Sequence, residues 1–167
     1  MKRFVVFFLC FATVFLSCAC GTYTRHSEPK DPINFYYCIQ SNDHNKISKL
    51  ISPEVREALG HKDDPEYLIS LYLSGPISYP YSSPFPTGES LQDITIKDKN
   101  ADITLSSHIA KLSDFNATLA YACLVLTVGE ILDVETVTIR AKDSLINDSP
   151  SITLDVNSFA FSADIEQ

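Results

Sequence analysis

Short apolar runs alternate with polar, turn-rich breaks along the chain, and each run has its own period. The first, Phe4 to Leu16, holds 13 uncharged residues. That is well short of the ~20 residues a helix needs to cross a bilayer. Ile33 to Ile39 (INFYYCI) is β-branched and aromatic between polar flanks, which predicts a strand. Ser41 to Lys46 is turn chemistry. In Leu50 to Leu59, Pro53 is incompatible with a central strand, which leaves an edge strand or a short helix starting after Ser52. Asp64-Pro65-Glu66 reads as a helix start, with Asp64 as N-cap and Pro65 in the first helical position. Leu68, Leu71 and Tyr72 have helical spacing, and Gly75-Pro76 ends the segment. Ile77 to Gly88 carries three Pro and reads as an irregular loop, with Tyr79, Tyr81 and Phe85 expected to fold back onto the body.

Leu91 to Ile96 and Ala101 to Leu105 alternate about Asp98-Lys99-Asn100, the pattern of a β-hairpin. From Ser113, the expected N-cap, to about Leu132 runs the longest predicted helix. Its expected core stripe is Leu112, Phe115, Leu119, Ala122, Cys123 and Leu126, with Gly129 as its weak point. The stretch Cys123 to Leu132 is apolar on nearly every face, which predicts burial, with Glu130 at the surface end. Val137, Ile139 and Ala141 alternate with Thr138 and Arg140 as a half-buried strand, and Ile152 to Phe161 offers one last edge strand. The order of elements predicts an α+β fold, a mixed or antiparallel sheet with two helices packed on one face.

Composition and charge sharpen this picture. The 167 residues suit one domain with appendages. Thirteen Lys+Arg against 21 Asp+Glu give a net charge of −8, which argues against nucleic acid as a partner because binding there rests on cations at the phosphates. Lys2 and Arg3 ahead of the first apolar run make it a signal peptide. The run ends in Leu16-Ser17-Cys18-Ala19-Cys20-Gly21, which resembles the lipobox of bacterial lipoproteins. Cys18 keeps an apolar residue, Phe15, at −3; Cys20 has the small Ala19 directly before it. Either Cys18 or Cys20 is the expected lipidation site. Losing the signal takes the net charge from −8 to −10. No polybasic segment is left to help, so anchoring rests on acyl chains. The expected organisation is a lipoprotein signal over 1–17, a lipidated Cys and polar tether over 18–32, a folded domain over 33–141, and a turn-rich tail over 142–167. The expected location is outside the cell, lipid-anchored to the outer face of the cytoplasmic membrane.

Candidate chemistry is sparse. His44, His61 and His108 are scattered, and neither metalloprotease, hydrolase-elbow nor phosphate-loop spacing occurs. His61, Asp63, Asp64 and Glu66 cluster at a predicted helix N-terminus, where carboxylates meet the helix dipole favourably. No catalytic residue, metal or cofactor is expected. Cys38 falls in the first strand and Cys123 in the apolar helix. Export permits a disulfide between them, provided the fold brings their Cα atoms within ~7 Å. The alternative is two separate thiols buried as small hydrophobes.

The body resembles the GerMN-domain family of sporulation and germination proteins. The resemblance rests on Pro53 and Arg56 in ISPEVREA, the helix ending at Gly75-Pro76, and the turn Pro86-Thr87-Gly88. It extends through the hairpin Leu91 to Ser106 and the helix followed by Val134 to Arg140. The chain departs from the pattern at Thr104, Asn100 and Ala141-Lys142-Asp143, all but the first being turn positions. The resemblance implies a fold similar to the ring-building domains of secretion and sporulation channels. It implies a non-enzymatic envelope lipoprotein whose partners are other envelope or sporulation-channel proteins, or further copies of itself. The competing reading is a small ligand-binding lipoprotein with the Tyr79/Tyr81/Phe85 loop over a pocket. A cell-wall hydrolase would need a convergent acid/base pair, and none can be assembled from the sequence.

Overall fold

The Ile33 run forms strand β1 (Pro32–Ile39) in a computed structural model, which describes residues 29–40, 50–112 and 114–159. Cys18 and Cys20, the Ser41 to Lys46 turn, Ser113 and Phe161 lie outside the described residues. After β1 come β2 (Ile51–Glu57), α1 (Pro65–Leu73), β3 (Tyr81–Ser82), β4 (Leu91–Lys97) and β5 (Asn100–Leu105). A 3-10 turn (Ile109–Lys111), α2 (Asp114–Leu132), β6 (Thr136–Ala141), β7 (Ile152–Asp155) and a second 3-10 turn (Val156–Phe159) complete the chain. The class is α+β, with the strands divided between two sheets: β2-β1-β3 and β4-β5-β6-β7. Among the described strands only β5 and β6 run parallel, and α2 makes the crossover between them.

Local chemistry explains most of these elements. Leu50 to Leu59 resolves as an edge strand: β2 pairs with β1 alone, so the missing N–H of Pro53 leaves no ladder gap. The Asp64 side chain accepts from the Tyr67 N–H at 3.0 Å and Pro65 sits at the first helical position of α1. Gly75 follows the last turn at φ +92, a conformation a side chain would strain. The β4–β5 hairpin closes through Asp98-Lys99, with Asp98 at φ +54. Ala101, Ile103 and Leu105 point together into the core.

The two helices join the two sheets. Tyr72 of α1 packs its ring at a tilt against Phe35 and Tyr37 of β1, while α1 also packs on β4. Helix α2 packs on β1 from one sheet and β6 from the other. Its buried residues include Ala117, Ala120, Tyr121, Leu124, Val125 and Val128, and the stripe that periodicity suggests holds in part: Ala122 and Cys123 are buried, its other members are not. Phe115 is 59% exposed, and Leu119 and Leu126 are half-buried. A helix apolar all round offers no polar face to set its rotation, so the facing sheets set it. The residues from 115 to 132 are long and apolar enough to cross a membrane by composition; in this fold that apolarity is used between the sheets.

Candidate functional site

The loop after α1 is held by one buried carboxylate. Glu54 on β2 accepts from the backbone N–H of Ile77 (3.2 Å) and of Ser78 (2.9 Å), and from the Ser78 hydroxyl (2.5 Å). Two successive N–H groups aimed at one carboxylate form an anion-binding nest. Arg56, two residues along the strand, lies 3.6 Å from Glu54 and donates to the Gly75 carbonyl at 3.3 Å. Its guanidinium also sits over the Phe35 ring, 5.7 Å from the centroid. The Pro53…Arg56 and Gly75-Pro76 elements of the sequence therefore meet in space and lock β2 to the loop. What the lock presents is apolar: Ile77 is 76% exposed, Tyr79 71%, and Val55 on β2 itself 55%.

The loop aromatics do not act together. Phe85 is buried edge-on against Tyr72. Tyr81 is half-buried and donates to the Pro53 carbonyl at 2.7 Å. Tyr79 stands outward. The expectation that all three fold back therefore fails for Tyr79, which lies in the turn ahead of β3 and is 71% exposed, while Tyr81 is the first residue that pairs with β1. Three side chains in three environments do not line a common pocket.

A second polar seam runs between β1 and α2. The Tyr36 N–H donates to Thr127 Oγ1 at 2.9 Å, satisfying a sheet-edge donor that β3 is too short to reach. The Tyr36 hydroxyl donates to Glu130 Oε2 at 2.7 Å, and Asn34 Nδ2 donates to Glu130 Oε1. Burial, reinforced by the bond to Glu130, pushes the Tyr36 phenol up to about 12. Deeper in, the Tyr72 hydroxyl donates to the Tyr36 carbonyl at 3.0 Å and Tyr37 donates to the Tyr72 carbonyl at 2.8 Å. Burial holds both phenols well above the usual tyrosine range, so they stay neutral. Cys38 and Cys123 sit in this seam as free thiols, hydrogen-bonded to each other. The fold thus brings together two cysteines that the sequence could not connect.

The remaining polar groups serve local structure. Ser106 donates to Glu89 Oε1 at 2.5 Å and lies 3.2 Å from His108 Nδ1, which in turn lies 3.2 Å from the Gly88 carbonyl. This knot ties the Pro86-Thr87-Gly88 turn to the end of β5. Arg140 and Asp102 form a two-pronged pair across the parallel strands, at 2.9 Å on each prong. His61 stacks on Tyr67 at 3.9 Å and faces Asp64 at 3.6 Å, while Asp64 is engaged as the helix cap. Among the described residues, no group of three or more His, Cys, Asp or Glu is placed to hold a metal ion. Sequence reasoning missed Glu54, Thr127 and Glu89. Glu54 alone left a signal, the Pro53…Arg56 element around it.

Comparison with known proteins places this geometry. The family model Germane, described as sporulation and spore germination, matches residues 34–145. No curated protein sequence is significantly similar. Among solved structures, the tandem GerMN domains of the sporulation protein GerM from Bacillus subtilis align with TM-score 0.55 and 21% identity over 71% of this chain and 43% of that one. The first GerMN domain of the same protein aligns with TM-score 0.50 and 11% identity, covering 72% of this chain and 92% of that one. A protein of Clostridium perfringens described as a candidate lipoprotein aligns with TM-score 0.49 and 17% identity over 79% of this chain and 95% of that one. The chain spans less than half the length of the tandem GerM structure.

Proposed function

Because the chain belongs to the Germane family of sporulation and spore germination proteins, we propose that it is a lipid-anchored envelope protein whose non-catalytic GerMN-type domain mediates protein–protein assembly during spore formation or germination. The family match over residues 34–145 carries this reading. The signal and the Cys18/Cys20 pair supply the anchor, at the outer face of the cytoplasmic membrane. The loop that Glu54 holds supports the contact role: it is fastened by buried bonds, yet it exposes Ile77 and Tyr79. An apolar residue held rigidly outward loses little entropy on docking, which favours association. The partners are other envelope or sporulation-channel proteins, or further copies of this chain. Glu54 is engaged through both oxygens in holding backbone and hydroxyl groups of the loop, which supports contact rather than catalysis there.

The test is recovery of the tagged, lipidated protein from detergent-solubilised membranes of growing and sporulating cells after brief crosslinking. An envelope protein or a second copy should be captured, and Ile77→Asp should abolish capture while leaving the melting temperature within ~2 °C, as a 76% exposed position allows. Capture of nothing from either cell state overturns the reading. Replacing both Cys18 and Cys20 by Ser should move the protein out of the membrane fraction.

A further inference from the structure

Strand β1 and helix α2 meet in a matched register. Asn34, Tyr36 and Cys38 are alternate residues of the strand. Glu130, Thr127 and Cys123 follow one another at helical spacings of three and four on α2. They pair in antiparallel order: Asn34 with Glu130, Tyr36 with Glu130 and Thr127, and Cys38 with Cys123. Two strand residues advance ~6.6 Å and three to four helix residues ~5 Å. The bonds at Asn34 and Tyr36 therefore set the alignment that delivers one sulfur to the other.

The two thiols differ in a useful way. Cys38 is half-buried at the end of β1, and Cys123 is buried in the helix. The hydrogen bond from Cys123 holds the Cys38 thiol below its usual range. The same bond, with burial, pushes Cys123 up. The other groups facing the pair are the neutral phenols of Tyr37 and Tyr72. A reachable thiolate backed by a shielded thiol is the arrangement of an attacking and a resolving sulfur.

We propose that Cys38 and Cys123 form a disulfide by thiol–disulfide exchange, fastening α2 to β1. The oxidant is a disulfide-bearing dithiol oxidoreductase of the envelope; in the test tube, glutathione disulfide replaces it. The Cys38 thiolate attacks one sulfur of the oxidant's disulfide; that bond breaks, and the departing sulfur takes up a proton. Cys123 then loses its proton and attacks the Cys38 sulfur of the mixed disulfide. The bond to the oxidant breaks, and the second oxidant sulfur leaves as a thiol. The chain gives up two protons and two electrons, and the oxidant disulfide becomes two thiols. The bond closes a loop of about 85 residues, large enough that reduction is expected to lower the melting temperature by about 10 °C.

This inference takes its compartment from the export reading above, so the experiment has two arms. Full-length protein is extracted in detergent, reduced, freed of reductant and exposed to glutathione disulfide, then digested with trypsin without reduction. The expected product is peptide 31–46 linked to peptide 112–140. In Cys123→Ser, glutathione should stay on peptide 31–46, because the resolving sulfur is gone. Cys38→Ser, a change at a half-buried position, should leave peptide 112–140 unmodified and make the melting temperature insensitive to reductant. Absence of the link in wild-type protein, or a link from Cys38 to Cys18 or Cys20, overturns the proposal wherever the protein resides. In the second arm, the envelope fraction of cells is alkylated and digested the same way, and the same link is expected there. If the link forms in the test tube while the cellular protein lies outside the envelope with both thiols alkylated, the pairing stands and the export reading falls. If the protein lies in the envelope with both thiols alkylated, the proposal falls.

Discussion

Glu54 inverts the rule by which strands are read. On β2 the apolar Val55 faces solvent, while Glu54 is buried and Arg56 half-buried. Alternation alone would turn Val55 inward. The inversion follows from what the neighbouring loop needs: the N–H groups of Ile77 and Ser78 require an acceptor, and Glu54 supplies it. Truncating that side chain leaves two N–H groups, a hydroxyl and the Arg56 guanidinium without their partner. Glu54→Ala is therefore expected to cost about 2–4 kcal/mol, read as a lower midpoint in urea denaturation with an unchanged slope. Glu54→Gln, which keeps an acceptor oxygen, should fall between Ala and wild type. A cost below ~0.5 kcal/mol for Ala would show that the loop holds itself. Asp64 is the opposite case. Its capping role was legible because a cap needs only residues within one turn.

Elements divide in the same way. The first strand, the α1 boundaries and the β4–β5 hairpin were legible because each rests on a short-range pattern: alternation, an N-cap with Pro, and a turn pair. Helix α2 was legible in extent, while its rotation was not. Gly129 shows what the rotation controls. By propensity, Gly in a helix is a defect and Ala should stabilise by ~1 kcal/mol. Here a Cβ on Gly129 would come within 2.6 Å of Val156 Cγ1 and 2.8 Å of Cγ2, because the Val156–Phe159 turn lies directly on the helix. Gly129→Ala is expected to destabilise by about 1–3 kcal/mol, and adding Val156→Ala should recover at least half of that. Thermal unfolding of the two variants decides it; a stabilised Gly129→Ala protein would mean that the turn yields freely.

At the scale of the whole molecule, two small sheets share one core through two helices. The sheets, of three and four strands, bury their apolar faces against α1 and α2, which couple them into one unit. The core also reaches past the family match, which ends at residue 145. Ile146 is buried, and Ile152, Leu154, Val156 and Phe159 pack against the core while β7 pairs with β6. A chain ended after residue 145 should therefore be less stable than one ended after residue 159 by at least ~3 kcal/mol, from the buried Ile146 and the half-buried residues behind it. Matching denaturation midpoints for the two lengths would remove that segment from the folding unit.

What the sequence determined by itself is local or compositional. It set β1, the β4–β5 hairpin at Asp98-Lys99, β6 and the extent of both helices, the cap at Asp64, the acidic charge, and a resemblance carried by the order of weak motifs. Only the tertiary structure decided the division into two sheets, the face that α2 buries, the burial of Glu54, and the meeting of Cys38 with Cys123. Each of these depends on groups far apart in the chain, and a pattern read over a few turns holds no information about partners that distant.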